Sequence, residues 1–110
     1  MPIIHEVDVG ATLAGVSFSA TGDQEIVAAV SGKKIRVHAL WIACTTNTST
    51  ILTPKSGSTA FGPVFRVALI SNVLPWSNHG YYVTTAGEAF NLGSSSSSPT
   101  VKVGCWYTLE

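Results

Sequence analysis

Charged side chains are scarce in this sequence. Asp, Glu, Lys and Arg account for 11% of the 110 residues, whereas typical soluble domains contain about 25%. The six basic and six acidic side chains balance to a formal net charge of zero. A nucleic-acid-binding protein needs an excess of Lys and Arg, because much of its affinity comes from releasing the counterions of phosphates. The basic cluster of Lys33, Lys34 and Arg36 is typical of a solvated strand end, so we predict no nucleic-acid partner.

Long apolar runs are also missing. No segment approaches the roughly 18 to 20 consecutive apolar residues of a membrane helix. Residues 1–6 do not combine a basic region with a following apolar stretch, as a signal peptide does. No window sustains apolar residues at helical spacing either. We therefore predict a chain without a membrane partner, without an export signal and without a persuasive helix.

Residues that bind metals or form disulfides are few and widely spaced. Cys44 and Cys105 form no CxxC motif, and both fall in β-type segments. A disulfide and two buried free thiols are both compatible with this spacing, and we favour the thiols. His5, His38 and His79 have no partner at i+2 or i+4, whereas a transition-metal site needs three or four converging ligands. We predict no metal and no cofactor.

The sequence motifs of common catalytic sites are absent as well. There is no G-x-S-x-G elbow and no glycine loop that could hold a phosphate. Asp23, Glu25 and Glu88 lie in predicted turns, where a carboxylate is usually solvated. Two acids in one cleft would be needed for glycosidase chemistry, and nothing in the sequence supports such a pair. We predict that the protein is not an enzyme.

Short β-type runs separated by Gly, Pro, Asn or Ser fill the chain instead, which is typical of a sandwich or barrel. Residues 34–45 form the longest run, with a length that suits a central strand bent by a bulge. The sequence predicts an all-β, antiparallel β-sandwich of about eight strands with a jelly-roll-like topology and an extended N-terminal arm. The runs cover residues 3–9, 15–20, 24–30, 34–45, 49–54, 62–70, 71–76, 81–85, 89–92 and 101–109.

Two further features concern pairing and faces. Runs 62–70 and 71–76 are predicted to pair with each other. In the final run apolar and polar residues alternate strictly, which predicts one shared face for Val101, Val103, Cys105, Tyr107 and Leu109. His38 alternates with two apolar residues of its run and is predicted to be a hydrogen-bonded wall residue.

The first 22 residues differ from the β-sandwich domain predicted for residues 23–110. Their apolar string is compatible with a first strand of the domain and with an arm that docks on a neighbouring molecule. The predicted contact residues of such an arm are Ile3, Ile4, Val7, Val9 and Leu13.

A second candidate contact surface is the densest polar and aromatic segment. Exposed aromatic side chains stack on sugar rings or fill a partner's pocket, whereas others fill a protein's own core. Both interpretations stay open for this segment. Its candidate contact residues are Trp76, His79, Tyr81 and Tyr82.

Several local patterns together resemble those of small virion proteins of tailed bacteriophages, which have jelly-roll-like β-sandwich folds. The patterns are VDVGATLA at residues 7–14, GKKIRV at 32–37, SGST at 56–59, GP at 62–63, the hairpin at 80–92 and the closing strand at 101–110. These motifs consist of turns and core positions and extend over most of the chain. The resemblance carries over no catalytic residue.

The resemblance implies a capsid decoration or cement protein of the virion, assembled in the cytoplasm of a host bacterium. Such a protein forms a homotrimer and binds the shell of major capsid protein, and the arm residues would then contact the capsid. The alternative is a domain of a head fibre or tail fibre whose aromatic loop binds host surface glycans.

Overall fold

A computed structural model describes residues 10–68, 71–97 and 99–110. These residues form ten β-strands, and no helix is present among them that could cross a bilayer. The strands are β1 (Thr12–Phe18), β2 (Gly22–Val27), β3 (Ile35–Cys44), β4 (Thr50–Ser56), β5 (Thr59–Ala60), β6 (Phe65–Val67), β7 (Ser71–Leu74), β8 (Tyr82–Val83), β9 (Phe90–Ser94) and β10 (Val101–Leu109).

The strands form two packed antiparallel sheets. Sheet A has the order β1-β10-β3-β7, with β8 also paired to β3. Sheet B has the order β2-β9-β4-β5, with β6 also paired to β4. The chain crosses between the sheets along most of its length, which gives the jelly-roll arrangement. The predicted all-β sandwich is confirmed, and the strand order, which periodicity alone does not determine, is now defined.

The core lies between the sheets and follows from the period-two alternation of each strand. In β4, every second residue from Thr50 to Ser56 is buried. On β10, Val101, Val103 and Cys105 are buried, as their alternation predicts. Tyr107 packs against the core from a half-buried position, whereas Leu109 is 43% exposed. The predicted face therefore holds for all but the last residue of the strand.

A β-bulge interrupts the alternation of β3. Trp106 pairs with Ala39 and Tyr107 pairs with Val37, so His38 is the extra residue of the longer strand. The predicted alternation of His38 with Leu40 and Ile42 is wrong, because the bulge changes the phase of the strand at this residue. His38 is buried and hydrogen-bonded, as predicted, but it faces away from the core cluster that contains Leu40.

The predicted pair of runs 62–70 and 71–76 is also wrong. β6 pairs with β4 in sheet B, whereas β7 pairs with β3 in sheet A. The chain therefore changes from sheet B to sheet A between these two strands. The sequence pattern predicts each strand but does not say which sheet the strand joins.

The first strand belongs to the sandwich. β1 pairs with β10 along its whole length without a register shift. Ala14, Val16 and Phe18 pack against the core cluster. Residues 12–18 are therefore a first strand, which was one of the two interpretations of the N-terminal region.

Candidate functional site

The outer face of sheet A carries an uncharged region between Lys102 at one end and the Arg36–Glu110 ion pair at the other. On this face, the side chains that alternate with the buried ones form rows across β1, β10, β3 and β7. Leu13, Trp41 and Val73 are 52%, 38% and 65% exposed. We call the following set the apolar patch: Leu13, Gly15, Ala39, Trp41, Val73, Gly104 and Trp106.

Trp41 gives the apolar patch its flat centre. Its partner in the ladder is Gly104, and the indole lies across that glycine. A Cβ atom at Gly104 would lie 2.2 Å from Cζ2 of Trp41, so only glycine leaves room for the ring. The ring buries Gly104 beneath one of its faces, while part of Trp41 stays exposed.

The outer face of sheet B is polar. Glu25, Asn91 and Lys55 form one cross-strand row, and Asp23 lies in the next row. Nζ of Lys55 donates to Oδ1 of Asp23 at 2.7 Å. Arg66 on β6 adds a further exposed charge. Charged and amide groups therefore dominate this face, and Ile51 lies half-buried beside Arg66.

A cleft of about 480 Å³ opens at the end of sheet A beyond the bulge. His38 forms its inner wall. The Ser77 carbonyl can only accept, so Nδ1 of His38 donates to it at 2.8 Å. Nε2 then accepts from the Thr108 hydroxyl at 2.9 Å in the neutral ring. Trp76 stacks on the imidazole with ring centroids 4.5 Å apart. The complete lining is Arg36, His38, Trp76, Asn78, His79, Thr108 and Glu110.

An ion pair closes the outer end of this cleft. The guanidinium of Arg36 donates through Nε and Nη2 to the two carboxylate oxygens of Glu110. These hydrogen bonds lower the pKa of Glu110 and raise the pKa of Arg36. Arg36 also donates to the carbonyl of His79 and thereby ties the loop to β3.

Two of the four predicted contact-loop residues lie together at the cleft, namely Trp76 and His79. Tyr81 is exposed near them, and its hydroxyl donates to the carbonyl of Pro75 at 2.6 Å. Tyr82 is wrongly predicted as a contact residue. It is a core residue, 8% exposed, and stacks on Phe90 with ring centroids 5.6 Å apart. Burial also raises the pKa of Tyr82.

Of the predicted arm residues, the structure describes Leu13, which lies exposed on β1 within the apolar patch. Ile3, Ile4, Val7 and Val9 lie outside the described residues. The predicted contacts of these four side chains stay predictions.

The remaining side chains that could carry chemistry are either hydrogen-bonded within the fold or buried. Oγ of Ser56 donates to the carboxylate of Glu88 at 2.6 Å, and Thr85 N donates to the same Oγ. Cys44 and Cys105 are buried free thiols, as predicted, and burial raises the pKa of Cys105 to about 12. No cluster of three or more metal-ligating side chains occurs in the part of the chain that the structure describes.

Most of the apolar patch escaped sequence reasoning. Trp41, Trp106 and Val73 are not among the predicted contact residues. The alternation of run 101–109 did place Gly104 and Trp106 on the face opposite to the core residues. The contact of Trp41 with Gly104 depends on a long-range register, which the sequence alone does not define.

Compared with known proteins, the chain matches no protein-family model and has no significant match among curated proteins.

Proposed function

We propose that this chain is a decoration protein of a tailed-phage particle, which acts by binding other protein subunits and carries out no catalysis. The observation that supports the proposal is the apolar patch on the outer face of sheet A. Exposed, contiguous apolar surface on a small domain marks a protein contact site, because it is costly to leave in water. We assign the contact to a phage particle because several local patterns of the sequence resemble those of small phage virion proteins.

In this proposal the protein forms a homotrimer on the shell of major capsid protein, within a virion assembled in a bacterial cytoplasm. Several weak contacts made by linked copies act together through effective concentration. A rigid sandwich suits this role because it holds its contact residues in place before binding and so loses little conformational entropy.

Counting copies in purified particles of the phage that encodes the chain tests the proposal. Quantitative mass spectrometry with the major capsid protein as internal standard should give copy numbers of the same order for both proteins. Particles that lack the chain should bind the purified protein when it is added back. A copy number near that of tail proteins, or no binding to such particles, would contradict the proposal.

A matched pair of variants connects this test to the apolar patch. Val73→Lys places a charge on the patch, and Thr53→Lys places the same charge on the polar face of sheet B. We expect Val73→Lys to lose binding to the particle and Thr53→Lys to retain it. Equal binding by the two variants would show that the patch has no part in the function.

A second candidate function, a fibre domain that binds glycans, is favoured by the cleft beside Trp76. Aromatic rings together with polar hydrogen-bonding groups are typical of saccharide sites. Binding to a glycan array that is lost in Trp76→Ala, in a variant whose melting temperature is preserved, would support this function. Absence of binding to any bacterial surface glycan would exclude it.

A further inference from the structure

We infer that the open edge of β1 is the docking site for residues 3–9 of the same chain, which add to sheet A as an antiparallel strand. Residues 1–9 lie outside the described part of the chain, whereas the edge that would receive them and the two residues that connect them to it are described. The contact is made within one chain, so it goes beyond the proposed function and does not depend on it.

The outer edge of β1 is open and unprotected. Among the described residues, β1 pairs with β10 alone, so the backbone groups on its other side have no ladder partner. Its seven residues include no charge and no proline, and its register with β10 does not shift. Charges, prolines and bulges are the usual means of preventing a further strand from joining an edge. The edge strand β2 of sheet B has such protection, since it carries Asp23, Glu25 and a bulge.

The core is also incomplete beside β1. Ala14, Val16 and Phe18 pack against the core cluster but are only half-buried, whereas their ladder partners on β10 are at most 4% exposed. An edge position alone does not explain this difference, because Ile26 and Val27 on the edge strand β2 are 4% and 5% exposed. One further strand beside β1 would cover the open side of these three residues, and burial of apolar surface favours its addition.

Gly10 and Ala11 give the connection the length and shape of a hairpin turn. Residues 3–9 are as many as the residues of β1, and only these two residues separate them from Thr12. Two-residue loops are the commonest hairpin connections, and a type II′ turn places a glycine with positive φ first. Gly10 has a φ of 71°. A Cβ atom there would meet no described atom within 4 Å, so the backbone conformation and not the packing favours glycine.

This turn fixes the register, and the register places apolar side chains where the core is open. With a two-residue loop, Val7 pairs with Ala14 and Ile3 pairs with Phe18. Val9 falls on the same side of the sheet, next to the turn. Successive side chains of a strand point to opposite faces, so a shift of one residue would move all three away from the core. The spacing of the apolar residues therefore matches the edge that they would join.

The other face of the segment carries its charges. Glu6 and Asp8 fall beside Gly15 and Leu13, on the outer face of sheet A. Charged side chains on an outermost strand prevent the addition of another one, so the segment has the protection that β1 lacks. His5 falls on the core side, where an edge position lets the imidazole reach water. A partner of the apolar patch would then meet two carboxylates at the β1 border of the patch.

This placement divides the predicted arm residues into two groups. Ile3, Val7 and Val9 complete the core of their own chain. Ile4 falls beside Ser17 on the outer face, and Leu13 is exposed on the same face. Only the second group stays accessible to another subunit.

An engineered disulfide tests the register. Ile4 and Ser17 face each other in the proposed register, and facing residues of neighbouring antiparallel strands have Cα atoms about 4.5–5.5 Å apart, within the range of a disulfide. We expect Ile4→Cys/Ser17→Cys to lose two protons on mild oxidation and to keep the mass of a single chain under denaturing conditions. Native Cys44 and Cys105 are buried and do not compete. The matched control is Ile3→Cys/Ser17→Cys, which places the two thiols on opposite faces and should stay reduced.

A pair of aspartate substitutions tests the two faces of the segment. Val7→Asp places a charge beside Ala14 at the open side of the core, where desolvation is costly. Ile4→Asp removes an aliphatic side chain of similar size but places the same charge on the outer face, in water. We expect Val7→Asp to lower the midpoint of urea denaturation and Ile4→Asp to leave it unchanged.

Three results would overturn the inference: equal oxidation of the two double variants, disulfides that join only separate chains, or equal urea midpoints for Val7→Asp and Ile4→Asp. The second of these would place the segment on another copy of the chain. None of the measurements involves a particle. Failure of the unmodified protein to bind particles would therefore contradict the proposed function and leave this inference standing.

Discussion

The two sheets share one core but present different surfaces to solvent. On sheet B, the exposed rows carry Asp23, Glu25 and Lys55, and an ion pair joins two of them. On sheet A, the two rows that contain Leu13 and Trp41 carry no charge, and Lys102 lies in the row beyond them. Both sheets bury their inner faces in the same core. We propose that the difference between their outer faces marks the side of the molecule that contacts other subunits.

Replacing one glycine on each face tests the difference between the two faces. The replacement on sheet A has the largest expected effect. Gly104→Ala forces a methyl group into the ring of Trp41, whereas Gly93→Ala meets Cε of Lys55 at 3.0 Å, at the end of a flexible side chain. We expect Gly104→Ala to cost about 1–3 kcal/mol, because Trp41 must leave its position.

Gly93→Ala should change stability by less than about 0.5 kcal/mol, because the ends of Lys55 and Asp23 that the methyl group meets are solvent-accessible and can move together. Urea denaturation of the two variants measures both values. Equal costs would show that Trp41 is not held against Gly104 and that the flat centre of the patch does not exist in solution.

The second prediction concerns the two thiols on the inner side of sheet A, which should remain free under oxidation. Cys105 pairs with Leu40 and Cys44 pairs with Val101. The two cysteines are thus four residues apart along the ladder, about 13 Å, beyond the reach of a disulfide. Thiol titration of unfolded, unreduced protein should find two thiols in each chain. A mass lower by two protons would contradict this register.

Replacement by serine separates the two thiols. We expect Cys105→Ser to cost about 2 kcal/mol, because its hydroxyl is buried without a partner. Cys44→Ser should cost less, since Sγ of Cys44 already contacts the carbonyl of Thr46 at 3.6 Å and a hydroxyl can donate there. A larger loss at Cys44 would contradict this assignment.

The third prediction compares one threonine on each face. Thr108→Val removes the hydroxyl that donates to His38, and we expect a loss of about 1 kcal/mol from the unmade hydrogen bond. Thr53→Val on sheet B is the matched control and should stay within about 0.5 kcal/mol. The His38 ring should also lose its fixed stacking on Trp76, which tryptophan fluorescence measures. An unchanged spectrum and stability would show that the bulge holds His38 without Thr108.

The sequence alone predicted much of the fold but little of the candidate site. Period-two patterns predicted the sandwich and the buried face of β10, because burial between two sheets acts on every second residue. The length of run 34–45 predicted a strand bent by a bulge, which the structure confirms, but its position at His38 was not predicted, since one inserted residue leaves no mark in composition. The apolar patch was missed for a different reason. Its members come from β1, β3, β7 and β10, and only the sheet order brings Leu13, Trp41 and Val73 to one face.

The smallest expected effect compares the ion pairs of the two faces, Arg36–Glu110 on sheet A and Lys55–Asp23 on sheet B. Both are solvent-accessible, so Glu110→Gln and Asp23→Asn should each cost less than about 1 kcal/mol at neutral pH, and less again at high salt. For Glu110 the pH dependence can be stated. Hydrogen bonds from Arg36 lower its pKa below the ordinary 4.5 in the folded chain.

A lowered pKa means that the carboxylate stabilises the fold above its ordinary pKa and that this contribution disappears as the pH falls through the lowered value. The unmodified protein and Glu110→Gln should therefore differ in stability at pH 7 and converge at the acid end of the titration, below the lowered pKa. Chemical denaturation at several pH values and two salt concentrations measures the difference. A gap between the two proteins that widens as the pH falls would show that Arg36 does not hold this carboxylate, and that the end of the cleft is open in solution.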